Sequence, residues 1–215
     1  MSLASCKYWI AGKNADFLLN FGYEPVKNFN NIFLYRNKFS LPLGITYNQV
    51  LDEGTFKKIS AVKKDDYLLT GCVVADQDKD LMAGFKKYNI ADTAEPFAFE
   101  KSTQHLLDLR KDTLNITSFK ESHIKGEINL TEPKILFLSI PFDEGWSVKV
   151  NGATSKLFCI NCGLTGVKLP AGKSTVDLQF EPRYMKQGGM VSLAGILVFV
   201  GLLSVSKLKK GSGAA

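Results

Sequence analysis

The chain has 215 residues, 45% of them apolar and 22% charged, with 27 Lys and Arg against 21 Asp and Glu. That balance excludes a disordered or collagen-like polypeptide. The excess of +6 is scattered over short Lys pairs, so no basic stripe marks a nucleic-acid surface and no nucleic-acid partner is expected.

The opening residues, MSLASCKYWIAGKNADF, carry one early Lys and no apolar run long enough for a targeting signal. KYWI, the stretch around FLLNFGY, and IFLYRN read as three strands, punctuated by Tyr23-Glu24-Pro25 and Asn30-Asn31. After Leu41-Pro42-Leu43-Gly44, TFKKISAV and DDYLLTGCVV space their apolar residues by three and four, which predicts short helices starting near Asp52 and Asp65. DKDLMAGFKKYN reads as a further amphipathic helix with Leu81, Met82 and Phe85 inward. Residues 91–103, ADTAEPFAFEKST, are a polar, Pro-containing connection and the expected boundary between two halves.

Residues 113–181 form the clearest block. LNITSF, HIKGEINL, KILFLSI, WSVKV, TSKLF, TGVKL and STVDLQF are short runs rich in β-branched and aromatic residues, separated by turn signals, which predicts an antiparallel β-sandwich. Trp146, Val148 and Val150 fall on one face of a strand and Ser147 and Lys149 on the other. Asn151-Gly152 supplies the two positive-φ residues of a hairpin turn. Pro170 and Gly172 fit a second turn, after which Val176, Leu178 and Phe180 repeat the alternation. KILFLSI is continuously apolar and is expected at the centre of a sheet, buried on both faces.

From Gly188 to Ser206 the sequence GGMVSLAGILVFVGLLSVS has no charge and no Pro. Nineteen residues at 1.5 Å each rise about 28 Å, close to the hydrocarbon thickness of a bilayer, so this segment is expected to span a membrane. A core helix of a soluble domain rarely runs that far without a charge. Lys207, Lys209 and Lys210 follow it, against Arg183 and Lys186 before it, which favours a cytoplasmic C-terminus. The remaining bulk is then expected to be extracytoplasmic, delivered by earlier spans of a longer protein; the alternative is a tail that inserts after synthesis and leaves the bulk in the cytoplasm.

Four cysteines are present, of which Cys159 and Cys162 make a C-x-x-C. Cys6 and Cys72 stand singly and His105 and His123 lie far apart, so no second ligand pair for zinc exists and no metal is expected. Gly163 and a β-like stretch follow the pair, whereas a redox dithiol needs a helix N-terminus; two small side chains at a strand end account for it.

The run ILFLSIPFDEGWSVKVNGATSKLFCINCGLTGVKLPAGKSTVDLQFEP, followed at once by a spanning helix, resembles the C-terminal part of the YfhO-type bacterial membrane proteins. The matching features are the strand ending in Ser139-Ile140-Pro141, the Phe142-Asp143-Glu144-Gly145-Trp146 turn, the Val150-Asn151-Gly152 hairpin, the Gly166-Val167 strand and the Leu169-Pro170-Ala171-Gly172 turn. KYWI, the GYEPVKNFNNIFLYRNKFSLPLGI stretch and DDYLLTGCVV also look like that family. The resemblance implies a large polytopic membrane protein similar to glycosyltransferases that use lipid-linked sugars, some of which decorate cell-surface polymers such as teichoic acids. The acidic residues expected to serve such transferases lie in an early loop between membrane helices, so no catalytic position carries over to this chain. Cys159-Ile160-Asn161-Cys162 departs from the family pattern.

Asp143 and Glu144 beside Trp146 are the residue types of a sugar-binding or glycosidase site. Neighbours on a strand point to opposite faces, however, and cannot embrace one glycosidic bond; a solvated turn accounts for them. Trp146 shares its face with Val148 and Val150 and reads as core. Asn115-Ile116-Thr117 and Asn129-Leu130-Thr131 match the glycosylation acceptor pattern, which carries little meaning in a bacterial protein. No nucleophile elbow is present, and Ala171-Gly172-Lys173-Ser174 lacks the upstream Gly and following helix of a phosphate loop. The Lys pairs at 57–58, 63–64 and 86–87 read as solvated helix faces.

The reading is therefore an α+β chain: a mixed α/β subdomain over residues 4–95, an antiparallel β-sandwich over 96–185, a transmembrane helix over 188–206 and a cytoplasmic tail over 207–215. Ligand-binding candidates are Asp143, Glu144 and Trp146, with no catalytic or metal residue and no cofactor. Expected partners are the lipid bilayer through 188–206, an upstream membrane domain of the same protein, and a cell-surface glycan. The role is accessory to a transferase and non-enzymatic by itself; the alternative is a stand-alone membrane-anchored glycan-binding or adhesion module.

Overall fold

A computed structural model describes residues 2–88 and 99–211, and the chain divides into two compact units, residues 1–179 and 180–215. The first strands are β1 (Tyr8–Ala11), β2 (Tyr23–Phe29) and β3 (Ile32–Asn37), which form an antiparallel sheet in the order β1-β3-β2. FLLNF, expected as strand, is instead a 3-10 turn over Asp16–Phe21 that ends at Gly22 with φ 79°. Tyr35 fixes the approach to this turn: its hydroxyl accepts from the Ala15 amide at 2.9 Å and donates to Asn14 Oδ1 at 2.8 Å. Ala15, Leu18, Tyr23 and Tyr35 are the small core beneath that sheet.

Next come β4 (Gly44–Tyr47), β5 (Gln49–Asp52), α1 (Glu53–Lys58), α2 (Ala61–Thr70), β6 (Cys72–Val74) and β7 (Lys86–Lys87). α1 starts where expected because the Asp52 carboxylate accepts from the Thr55 amide at 2.8 Å. α2 begins after Ser60 rather than near Asp65, and CVV leaves the helix to become β6. DKDLMAGFKKYN corrects to a 3-10 turn over Asp76–Met82 followed by β7, so Lys86 and Lys87 lie on a strand and not on a helix face. The cause is tertiary: the buried Asp78 breaks helical geometry at φ −116° and its carboxylate accepts from the Cys159 amide at 2.9 Å and pairs with Lys156 at 3.1 Å. β5 runs parallel to β6 and β7, with α1 and α2 as the β5-to-β6 crossover.

The rest of unit 1 comprises α3 (Phe99–Leu109), β8 (Asn115–Lys120), β9 (His123–Leu130), β10 (Lys134–Pro141), β11 (Trp146–Val150), β12 (Ala153–Ser155), β13 (Leu157–Ile160), β14 (Leu164–Leu169) and β15 (Gly172–Phe180). Residues 99–103 of the expected connection are thus helical, while its residues 91–98 fall outside those described. The strands form a seven-stranded sheet, β4-β10-β14-β13-β6-β5-β7, and a five-stranded sheet, β12-β11-β15-β9-β8. The larger sheet takes strands from both sides of residue 95.

β10 shows how the layers stack. Ile135 and Phe137 pack with Tyr47, Val50, Leu81 and Leu109 on the helical side. Leu136 and Leu138 pack with Val148, Val167, Leu169, Val176 and Leu178 on the side of the five-stranded sheet. KILFLSI is therefore central and buried on both faces, as its composition predicts, each such side chain contributing about 1.5–3 kcal/mol. Leu114 joins the two sheets: a Cβ on Gly44 would lie 2.7 Å from its Cβ, and one on Gly126 2.6 Å from its Cγ, so both positions must lack a side chain. Asn151 and Gly152 take φ 53° and 81° in the β11–β12 turn, as expected of a two-residue hairpin.

Unit 2 is α4 (Met185–Gly211). Its Met185–Leu203 portion is long and apolar enough to cross a membrane, and none of that portion is buried. The α+β class, antiparallel sheets and apolar C-terminal helix agree with the sequence reading.

Candidate functional site

A cleft of about 490 Å³ opens where the β4–β5 junction, the end of α2, the last turns of α3 and the start of β10 converge. Asn48, Gln49, Tyr88, His105, Asp108 and Asp112 are among its walls. α3 brings His105, Asp108 and Leu109 to one stripe by helical spacing, with Leu109 buried in the core and the polar pair at the rim. Just beyond the helix, Asp112 accepts from Lys134 Nζ at 2.7 Å, and the Lys134 side chain keeps only 15% of its surface exposed. Thr46 donates to the Asp112 carbonyl at 3.0 Å, which pins the segment to β4. Asn48 donates to Glu132 at 3.2 Å, and Glu132 lies 3.8 Å from the same Lys134.

Asp108 accepts from Lys111 Nζ at 2.7 Å and from Gln104 Nε2 at 3.2 Å, and the Lys111 hydrogen bond above all holds its carboxyl below the usual carboxylate range. The same contact raises Lys111. Tyr47, whose hydroxyl donates to the Leu68 carbonyl at 2.7 Å, is pushed far up by burial and stays neutral. The cleft thus presents carboxylates, amides and an imidazole in one frame. Among the described residues no three His, Cys, Asp or Glu side chains converge on a point where a metal could sit.

The structure places Asp143 and Glu144 on an exposed turn between β10 and β11, away from this cleft. Asp143 accepts from the Gly145 amide at 2.7 Å and, through its carbonyl, from the Trp146 amide at 3.1 Å, which is turn chemistry. Trp146 is half-buried and packs against the sandwich core. Asp143 and Glu144 thus sit on the turn and Trp146 opens the strand that follows it. Sequence reasoning missed the cleft because Asp112 and Lys134 are 22 positions apart and carry no spacing motif.

Cys159 lies near the end of β13 and Cys162 is exposed in the following turn, both as free thiols. Burial, then the nearby Asp78 and Glu53 carboxylates for Cys159 and Glu53 for Cys162, pushes both thiols up, the opposite of what thiolate chemistry requires. Asn161 holds the turn to β6: its backbone amide donates to the Val73 carbonyl at 2.7 Å and its side-chain oxygen accepts from the Val73 amide at 2.8 Å. On the outer face of the five-stranded sheet, Asp177 meets His123 at 2.8 Å and Lys125 at 3.0 Å. Partial burial pushes this carboxyl up, but the two hydrogen bonds outweigh it and hold it below its ordinary value.

Residues 97–192 match the family described as "Bacterial membrane protein YfhO". The curated "Uncharacterized protein YfhO" of Bacillus subtilis (strain 168) is 27% identical over 103 residues, 48% of this chain and 11% of that protein, so the match spans about a tenth of the relative's length. No solved structure matches the chain significantly. Membrane association follows from the family and from the one described helix long and apolar enough to cross a bilayer. Over residues 97–192 the chain is similar to the YfhO type of bacterial membrane protein.

Proposed function

We propose that this chain is the extracytoplasmic accessory portion of a polytopic YfhO-type protein, that it binds the glycan acceptor in the cleft between α3 and β10, and that sugar transfer belongs to a membrane-embedded part. The observation that carries the reading is the convergence of Asn48, Gln49, His105, Asp108 and Asp112 with the ring of Tyr88 around about 490 Å³. Sugar hydroxyls both donate and accept, and planar amide and carboxylate groups satisfy two of them at once while an aromatic face covers the apolar side of a ring. Lys111 and Lys134 are engaged by Asp108 and Asp112, which leaves the carboxylates fixed for hydroxyl donors. α4 then tethers the domain beside the membrane, with the C-terminal lysines on the cytoplasmic side.

The test is a glycan array probed with the full chain in detergent micelles. Binding that falls about tenfold or more in Asp112→Asn and in His105→Ala supports the reading. Uniformly absent binding, or binding indifferent to both substitutions, overturns it. Protease accessibility of unit 1 in sealed right-side-out vesicles checks the sidedness.

A further inference from the structure

Unit 1 leaves ten large apolar side chains exposed among the described residues, and eight of them lie between Tyr8 and Ile32. The alternation in β1 and β3 sorts part of this set. Trp9, Ala11, Phe33 and Tyr35 turn to the small core, so Tyr8, Ile10, Ile32 and Leu34 face the other way. The register groups them: Ile10 pairs with Leu34, and Phe29 of β2 pairs with Ile32. Ile10 is 72% exposed, and Tyr8, Phe29 and Ile32 are each 49% exposed. A monomeric soluble domain scatters such residues, whereas this sheet gathers them on one side.

The charge in this stretch of chain is predominantly positive. Residues 1–40 carry five Lys and Arg against two carboxylates, and Glu24, one of the two, is paired with Arg36 and Lys38. Lys7 lies 5.7 Å from the Tyr8 ring centroid and Lys27 4.4 Å from that of Phe29. Neither lysine forms an ion pair with a carboxylate among the described residues. Aliphatic and aromatic side chains ringed by uncompensated lysines match the chemistry of an anionic bilayer surface, where rings enter the headgroup boundary and ammonium groups meet lipid phosphates. The same chain carries α4, so the patch is covalently held at high effective concentration near lipid, and a weak surface affinity is enough to seat it.

We propose that the outer face of the β1-β3-β2 sheet is a second membrane contact, an anionic-lipid-binding surface distinct from the spanning helix. It does not depend on the glycan reading. The test reconstitutes the full chain in liposomes with brominated acyl chains and measures the emission of Ile10→Trp and Phe29→Trp, with Lys149→Trp on the five-stranded sheet as the control. In phosphatidylglycerol bilayers both new indoles are quenched about twofold or more above the Lys149→Trp level. Lys7→Gln and Lys27→Gln each lower the ratio of seated to free forms about fivefold. Phe29→Trp keeps an aromatic ring in place, so it remains informative should Ile10→Trp disturb the sheet. Quenching no greater than that of Lys149→Trp overturns the proposal, as does equal quenching in phosphatidylcholine and phosphatidylglycerol. Cross-linking of two copies through Ile10 without quenching assigns the face to self-association and overturns it too.

Discussion

Leu114 is the side chain on which unit 1 turns, and Gly126→Ala tests it. A Cβ at 126 would lie 2.6 Å from Leu114 Cγ, 2.9 Å from its Cδ1 and 2.9 Å from the Asn115 carbonyl oxygen. Leu114 is also crowded at Gly44, where an added Cβ would lie 2.7 Å from the Leu114 Cβ. Overpacking of this kind costs about 1–3 kcal/mol, and the entropy gained by replacing a strand glycine returns about 0.5–1, leaving a net loss of about 0–2.5 kcal/mol, centred a little above 1. For a unit of this size the central value lowers Tm by about 2–5 °C. Leu114→Ala alone, at a site 3% exposed, costs about 2–5 kcal/mol. In the double variant the new methyl enters space the leucine has vacated, so the pair costs about 1 kcal/mol less than the sum. Thermal unfolding of the full chain in micelles, followed by near-UV circular dichroism, reads all four proteins. Additivity within about 0.5 kcal/mol refutes the wedge. Leu114 also lies two residues after Asp112, so Gly126→Ala weakens any ligand of the cleft without touching its wall.

Three further outcomes are expected. Asp112→Ala leaves the largely covered Lys134 ammonium only the longer 3.8 Å pairing with Glu132 and costs about 1–2 kcal/mol by thermal melt, more than Lys134→Met, which leaves a carboxylate that water can reach. Asp177 has a folded pKa below its ordinary 3.8, so its contribution to stability is complete above that value and is lost as pH falls through the lower folded one; Asp177→Asn makes the acid limb of the melting curve shallower, checked by melts from pH 5 to pH 2. Ile196→Arg, in the middle of the apolar helix, reduces insertion by about 3 kcal/mol and moves the chain into the carbonate-soluble fraction.

Much of the fold is legible where one residue's environment is set by its near neighbours. Asn151-Gly152 dictates its hairpin, Asp52 caps α1, and the unbroken KILFLSI run can only be a strand covered on both sides. The elements that mislead are those decided from far away. DKDLMAGF has helical spacing, yet the Cys159 amide and Lys156, some eighty positions downstream, take the Asp78 carboxylate and bend the backbone out of the helix. FLLNF has strand composition, but Tyr35 and the left-handed Gly22 wind it into a 3-10 turn. The cleft is hidden for the same reason, since Asn48, Asp112 and Lys134 meet only once β4 pairs with β10. Trp146 and the Asp143 turn, by contrast, are visible in sequence because they lie within a few positions of one another.

The strand order of the seven-stranded sheet bears on how the polypeptide reaches this state. Tyr47 finds its partner in Ile135, and Val74 in Ile160, so β4 and β6 emerge from the ribosome long before the strands that cover their edges. Nucleation from such distant pairings is slow, because the intervening loop must close before any ladder forms. During that interval the open edges can recruit strands from other nascent chains, a hazard that ends only when β10, β13 and β14 arrive together.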